Sequence, residues 1–197
     1  MWRYTLIALI ISLFTAATVL ASVTDGVKKT VDDVIRIVEN KELKTKNNEQ
    51  RRRTAIRKAV AAIFDSQEMA KRSLGKHWNQ RTPAERKQFV DLFSTLLENS
   101  YAGKIESYNN ERIVYTKELL DGDYAEVKSK VITAKKDEYT LDYRLLKREG
   151  TWVVYDVIIE GVSLVANYRT QFNKIITTSG YPELVKKLQT KSNELKM

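Results

Sequence analysis

Residues 124–159 read YAEVKSKVITAKKDEYTLDYRLLKREGTWVVYDVII, and this stretch decides the fold. Ala125, Val127, Ser129 and Val131 alternate with Glu126, Lys128 and Lys130, and Tyr139, Leu141, Tyr143 and Leu145 alternate with Thr140, Asp142 and Arg144. A period of two is that of a strand with one buried and one wet face. Asp121-Gly122, Lys136-Asp137 and Glu149-Gly150 fall between apolar runs. The spacing therefore predicts four strands, 113–119, 124–134, 139–147 and 151–159, joined as sequential antiparallel hairpins. The last is apolar on both sides except for Asp156. It is expected to lie deepest, covered by helices or a ligand. Unbroken alternation puts Val127, Val131, Leu141, Tyr143, Val153, Tyr155 and Val157 on one inner face.

Helical spacing flanks this meander on both sides. Upstream, Val27, Val31, Val34, Ile35 and Val38 form one apolar stripe, and Ile56, Val60, Ile63 and Phe64 form another after the charged stretch 41–53. Two amphipathic helices follow from that pattern. Thr82-Pro83-Ala84-Glu85 has the form of a capping box with Pro at the first helical position. Behind it, Phe89, Leu92, Phe93, Leu96, Leu97, Tyr101, Ile105 and Tyr108 line one face of a long helix, a stripe wide enough to cover a sheet. Downstream, Gly161 ends the last strand and Ser163 can cap a helix carrying Leu164, Tyr168, Phe172, Ile175 and Ile176. Gly180-Tyr181-Pro182 separates a final helix with Leu184, Val185 and Leu188. The expected class is α+β, a four-stranded antiparallel meander packed against helices.

Residues 1–21, MWRYTLIALIISLFTAATVLA, have the form of a cleavable secretory signal peptide, with Arg3, an apolar run from Leu6 to Phe14 and a small-residue site ending at Ala21. Ser12, Thr15 and Thr18 interrupt the run, which is short for a membrane anchor. A single domain, residues 22–197, is expected to remain, without internal repeat or linker. The 197 residues include no cysteine, so disulfides and thiolate metal sites are excluded. Lys and Arg number 34 against 25 Asp and Glu, a formal charge of +9 that suits an anionic partner. Export makes nucleic acid an improbable partner and leaves lipid headgroups or acidic protein surfaces.

Catalytic patterns fail on inspection. Gly161-Val162-Ser163-Leu164-Val165 lacks the second glycine of a hydrolase elbow, and the one histidine, His77, precedes the serine. Gly75-Lys76 is followed by His77 rather than Ser or Thr, so no phosphate-binding loop is present. One histidine and no cysteine cannot build an ordinary zinc site, and no metal or other cofactor is expected. His77 is read as a partly exposed helix-end residue. Asp156 is read as structural, anchoring a helix N-terminus or pairing with an arginine; a general base with a raised pKa is the alternative.

The apolar surplus remains. The helical stripe (Leu92, Leu96, Tyr101, Ile105), the inner sheet face and the next helix (Val165, Tyr168, Phe172) either pack on one another as core or line a pocket, and periodicity does not separate the two. A lipid carrier gains about 0.8 kcal/mol per buried CH₂, so an ordinary acyl chain calls for burial worth on the order of 12 kcal/mol in a deep, dry pocket.

Leu74-Gly75-Lys76-His77-Trp78, then Thr82-Pro83-Ala84-Glu85-Arg86 with Phe89, Phe93, Leu97 and Tyr101, resemble the LG-x-x-W…TP-x-x-R-x-x-F pattern of the MlaC-like toluene-tolerance family. Trp152 to Val157, Glu160-Gly161-Val162-Ser163-Leu164, Asn167-Tyr168-Arg169 and Gln171-Phe172 resemble that family's W-x-V-x-D-x-x-x-x-G-V-S-x-x-x-x-Y-R segment. The resemblance implies a nuclear-transport-factor-like cone with added N-terminal helices, holding acyl chains between sheet and helices. It implies a periplasmic glycerophospholipid carrier that works between an outer-membrane lipoprotein complex and an inner-membrane ABC transporter with a membrane-tethered lipid-binding subunit, without enzymatic turnover. The pocket residues above come from the apolar pattern, not from the family. Two rivals are an isomerase- or dehydratase-like enzyme using Asp156 with Tyr143 or Tyr155, and an adaptor with a filled core.

Overall fold

Strands β1 (Arg112–Asp121), β2 (Tyr124–Ile132), β3 (Glu138–Arg148) and β4 (Thr151–Ile159) pair antiparallel in chain order in a computed structural model that describes residues 22–194. The expected signal peptide lies outside the described residues. A short fifth strand, β5 (Val162–Ser163), folds back on Ile158 and Ile159, so the sheet has five strands where the alternation gave four. The hairpin between them is closed by Glu160 and Gly161, both with positive φ (50° and 76°), the geometry a two-residue turn requires.

One irregularity overturns part of the alternation. Arg144 pairs with Asp156 but Leu145 pairs with Val154, so Tyr155 is an extra residue, a β-bulge. Val154 and Val157 therefore share the buried inner face with Tyr143 and Leu145. Val153, paired with Leu146, turns to the opposite face, and Tyr155 sits there with its ring 4.0 Å from the Arg72 guanidinium. The inner-face assignment of Val153 and Tyr155 is corrected accordingly: the bulge inverts the phase within the strand.

Six helices surround the sheet in the described residues: α1 (Val23–Glu39), α2 (Glu49–Ala61), α3 (Ser66–Leu74), α4 (Pro83–Glu106), α5 (Leu164–Ser179) and α6 (Tyr181–Glu194). α1 and α4 both begin with reciprocal capping boxes, Ser22 with Asp25 and Thr82 with Glu85. The second apolar stripe does not continue as one helix through Phe64. α2 stops at Ala61 because the backbone of the connector is needed elsewhere: Val154 N donates to Ile63 O at 2.8 Å and Asp65 N to Val154 O at 2.9 Å, a parallel bridge on the open edge of β4. Asp65 then caps α3, a helix the periodicity did not separate. Among the described residues no helix is long and apolar enough to cross a membrane.

The apolar residues fall into two clusters. In the first, Phe89, Phe93 and Leu96 of α4 pack with Met69 and Leu74 of α3, Phe172 of α5 and Leu184 of α6. In the second, Val23 and Val27 of α1 pack on Val127, Tyr143, Leu145 and Val154 of the sheet. The stripe of α4, wide enough to cover a sheet, does not lie on it along its length. Its first half packs among helices instead, its last turns face a cavity, and Tyr108 lies beyond its end.

Candidate functional site

The inner face of the sheet is only partly covered by side chains. Between it, α1, α2 and the last turns of α4 lie two neighbouring apolar lobes, of about 460 and 410 Å³. Each is within the usual volume range of ligand sites, roughly 300 to 1,000 Å³. The first lobe runs between α2 (Ile56, Val60) and α4 (Leu97, Tyr101, Ala102), with Val157 from β4 and Leu164 from the start of α5. The second runs between α1 (Val31, Val34, Ile35) and the sheet (Val131, Leu141, Tyr143). Val60, Phe64 and Ile105 belong to the walls of both.

Of the residues expected to line a pocket, Tyr101, Ile105 and Val157 line the first lobe and Val131, Leu141, Tyr143 and again Ile105 line the second. The others do not. Val127 is fully buried in the packed sheet cluster. Leu92, Leu96, Val165, Tyr168 and Phe172 belong to the helical cluster, where Phe93 meets Tyr168 and Phe172 edge-on at 5.2 and 5.5 Å between ring centres. Val153 and Tyr155 face away because of the bulge. The lining that the apolar pattern did not assign includes the stripes of α1 and α2, Phe64, and Leu97, Ala102 and Leu164. The stripes on these helices were visible, but only the assembled fold turns them toward the gap.

The charged side chains of the first lobe come from α2 and α4. Arg57 binds Glu98 through both ends of its fork, at 2.8 and 2.5 Å, and this carboxylate holds the guanidinium pKa above its ordinary value. Arg52 binds Glu106 at 3.2 and 3.1 Å. Both pairs link α2 to α4, and Arg57, Glu98 and Glu106 line the first lobe. Burial raises the Tyr143 phenol and pushes that of Tyr115 up to about 12; the Tyr115 hydroxyl has no hydrogen-bond partner. Among the described residues, no group of three acidic or histidine side chains could hold a metal.

Asp156 is structural, as expected. Val165 N donates to its Oδ1 at 3.0 Å and Ser163 Oγ to its Oδ2 at 2.6 Å, while Arg144 lies 3.8 Å away. Ser163 Oγ in turn accepts from Ala166 N, so the pair caps α5. His77 is buried rather than partly exposed, because its Nε2 lies 3.0 Å from Asn173 Oδ1 on α5.

The sequence pattern described as MlaC protein matches residues 28–190. The chain belongs to the MlaC family. It is 23% identical over 172 residues to the intermembrane phospholipid transport system binding protein MlaC of Haemophilus influenzae, covering 85% of this chain and 80% of that one. It is 25% identical over 158 residues to the toluene tolerance protein ttg2D of Pseudomonas putida, covering 79% and 74%. The phospholipid-binding protein of Ralstonia solanacearum, solved in complex with a phospholipid, superposes with a TM-score of 0.79 at 29% identity, covering 87% of this chain and 97% of that one.

In this MlaC family member the motif residues build the scaffold beside the cavity. Gly75 has φ 55°, and a side chain there would meet Arg169 Cδ at 3.1 Å, so the glycine of the first motif makes room for the arginine of the second. Arg86 donates to Trp78 O at 3.1 Å and lies over the Trp78 ring at 5.3 Å. These contacts fasten α4 and α5 to the α3 end.

Proposed function

We propose that the protein is a periplasmic carrier that holds glycerophospholipid by its acyl chains in the two neighbouring lobes. It passes lipid between an outer-membrane lipoprotein complex and an inner-membrane ABC transporter with a membrane-tethered lipid-binding subunit. The observation that carries this reading is the pair of apolar lobes that share Val60, Phe64 and Ile105 in their walls, in a fold whose Ralstonia solanacearum relative was solved with phospholipid. Two neighbouring lobes suit two chains leaving one glycerol. Each buried CH₂ contributes about 0.8 kcal/mol, so chains of ordinary length are retained without metal or nucleotide. The headgroup stays near solvent because desolvating a phosphate is costly. Residues 1–21 act in this reading as a cleaved export signal, leaving a phospholipid-binding domain from residue 22 onward.

The carrier performs no chemistry on its cargo. Asp156, on which an isomerase or dehydratase reading turns, has both oxygens committed to Ser163 and α5. Protein purified from the periplasm without detergent should yield phospholipid in stoichiometric amount on extraction and mass spectrometry, and its intact mass should begin after Ala21. Protein that arrives lipid-free and takes up none from liposomes would refute the proposal.

A further inference from the structure

The first lobe is lined mostly by apolar side chains, and its charged ones stand on α2 and α4. Arg53 and Arg57, four residues apart on one face of α2, line it together with Glu98 and Glu106 of α4. With Arg52, three arginines of α2 share these two carboxylates. Arg57 occupies Glu98 with both ends of its fork and Arg52 occupies Glu106. Arg53 is held more loosely, by ion pairs to Glu49 and to the shared Glu106. Its Nη2 rests 2.9 Å from Glu49, one turn back on its own helix and half-exposed, a pairing worth little and readily exchanged. Its Nε is shut off from solvent and has no hydrogen-bond partner; Glu106 Oε1, already held by Arg52, lies 3.6 Å away.

The Nε, closed off beside Glu106, is out of a ligand's reach; the Nη end of the fork, held by a half-exposed carboxylate on its own helix, is the part that can exchange partners at the lobe. The second lobe offers no guanidinium; its basic lining residue is Lys104, whose ammonium lies over the Tyr101 ring at 5.6 Å. An acceptor suited to Arg53 carries negative charge, presents two oxygens to a planar fork, and is attached to something apolar that fills the lobe behind it. Resting on the carrier reading above, the geometry points to Arg53, with Arg57 beside it, as the binding site for the phosphodiester of the cargo. Such a site selects a diacyl phosphodiester over an uncharged diacylglycerol with the same chains. It reads the phosphate that all glycerophospholipids share, not the group beyond it.

The test compares the purified protein with its Arg53→Gln and Arg53→Lys variants, each loaded from liposomes containing phosphatidylglycerol and diacylglycerol of identical chains, with bound lipid counted by mass spectrometry. The native protein should prefer the phospholipid by about tenfold or more, the scale of one charge-assisted forked hydrogen bond. Arg53→Gln should bring the ratio close to that of the liposomes. Arg53→Lys, which keeps the charge and loses the fork, should fall between. Diacylglycerol uptake is the reading that a merely structural role would lower as much as phospholipid uptake. An unchanged ratio in Arg53→Gln overturns the proposal, as does equal loss of both lipids in both variants. Inorganic phosphate should displace no more phospholipid than chloride at equal ionic strength. If phosphate alone raises the melting temperature of the native protein and no lipid preference is seen, the site takes free phosphate and the lipid assignment is wrong. A native protein that takes up neither lipid refutes the carrier reading itself, an outcome distinct from all of these.

Discussion

The two halves of α4 carry similar apolar stripes and meet opposite surroundings. Around Phe93 the aromatic rings of Phe89, Tyr168 and Phe172 close on one another at 5.2 to 5.9 Å, and the space is filled. Around Ile105 the same α4 helix, three turns further on, faces open volume bounded by α2 and the sheet. Filling is a matter of what stands opposite. α3, α5 and α6 press on the first half of α4, whereas α2 is held off the second half and linked to it by the Arg52–Glu106 and Arg57–Glu98 pairs. Hydrophobic residues on a helix thus become core or cavity wall according to the spacing of neighbouring elements, a property no single element carries.

The sharpest way to break this comparison is to truncate one residue on each side. Phe93→Ala should cost about 3 to 5 kcal/mol, the usual range for emptying an aromatic site in a packed core. Ile105→Ala should cost a fraction of that in lipid-free protein, since the space beside it is already open. Urea denaturation of both variants measures the difference; equal losses would mean that the lobes close when empty. Two enlargements come next. Val127→Trp meets a full site and should destabilise by about 1 to 3 kcal/mol or more. Val157→Trp can extend into the first lobe, lowering bound lipid while the lipid-free melting temperature stays within a few degrees, given that about 1 kcal/mol moves a domain of this size by roughly 2 to 4 °C.

Asp156→Asn should cost about 2 kcal/mol, because the amide nitrogen sets a donor against either Val165 N or Ser163 Oγ where the carboxylate accepts from both. The loss appears as lowered thermal stability with α5 loosened, and a turnover that vanished with it would revive the enzyme reading.

The smallest effect concerns pH. Burial raises the phenols of Tyr143 and Tyr115 above the ordinary 10.0, Tyr115 to about 12. A raised folded-state value means that their contribution is complete below pH 10.0 and is lost as the pH climbs toward 12, where the unfolded chain releases protons the folded one keeps. Tyr115→Phe and Tyr143→Phe should each flatten the alkaline fall in melting temperature, and Tyr115→Phe should cost little near neutrality because its hydroxyl has no partner to lose.

Local rules carried far in this sequence. The alternation of 124–147, the Thr82–Glu85 box and the Ser163 cap all correspond to elements at those positions, because each depends on residues a few places apart. Three features escaped the same reading. The bulge at Tyr155 leaves the composition of β4 unchanged while inverting its phase, which is why Val153 and Tyr155 were assigned to the wrong face. The break between α2 and α3 is imposed by the hydrogen-bonding needs of Val154, some ninety residues away. The walls supplied by Val31, Val34 and Val60 bore the ordinary signature of helices that bury a face, and nothing local distinguishes a face buried on side chains from one that borders a void.

The extra residue in β4 also bears on how this chain tolerates changes in length. Tyr155 has no cross-strand partner, so a chain lacking it alone keeps Val154 opposite Leu145 and Asp156 opposite Arg144, with every inward and outward assignment intact. What it gives up is a local bend and the ring that stacks on Arg72. Deleting a paired neighbour such as Val157 instead forces the rest of the strand to slip by one and exchange faces, carrying Ile158 toward the cavity and Ile159 away from it. Within a strand where length is otherwise fixed to the residue, position 155 is where an insertion is already accommodated and a deletion should be survivable.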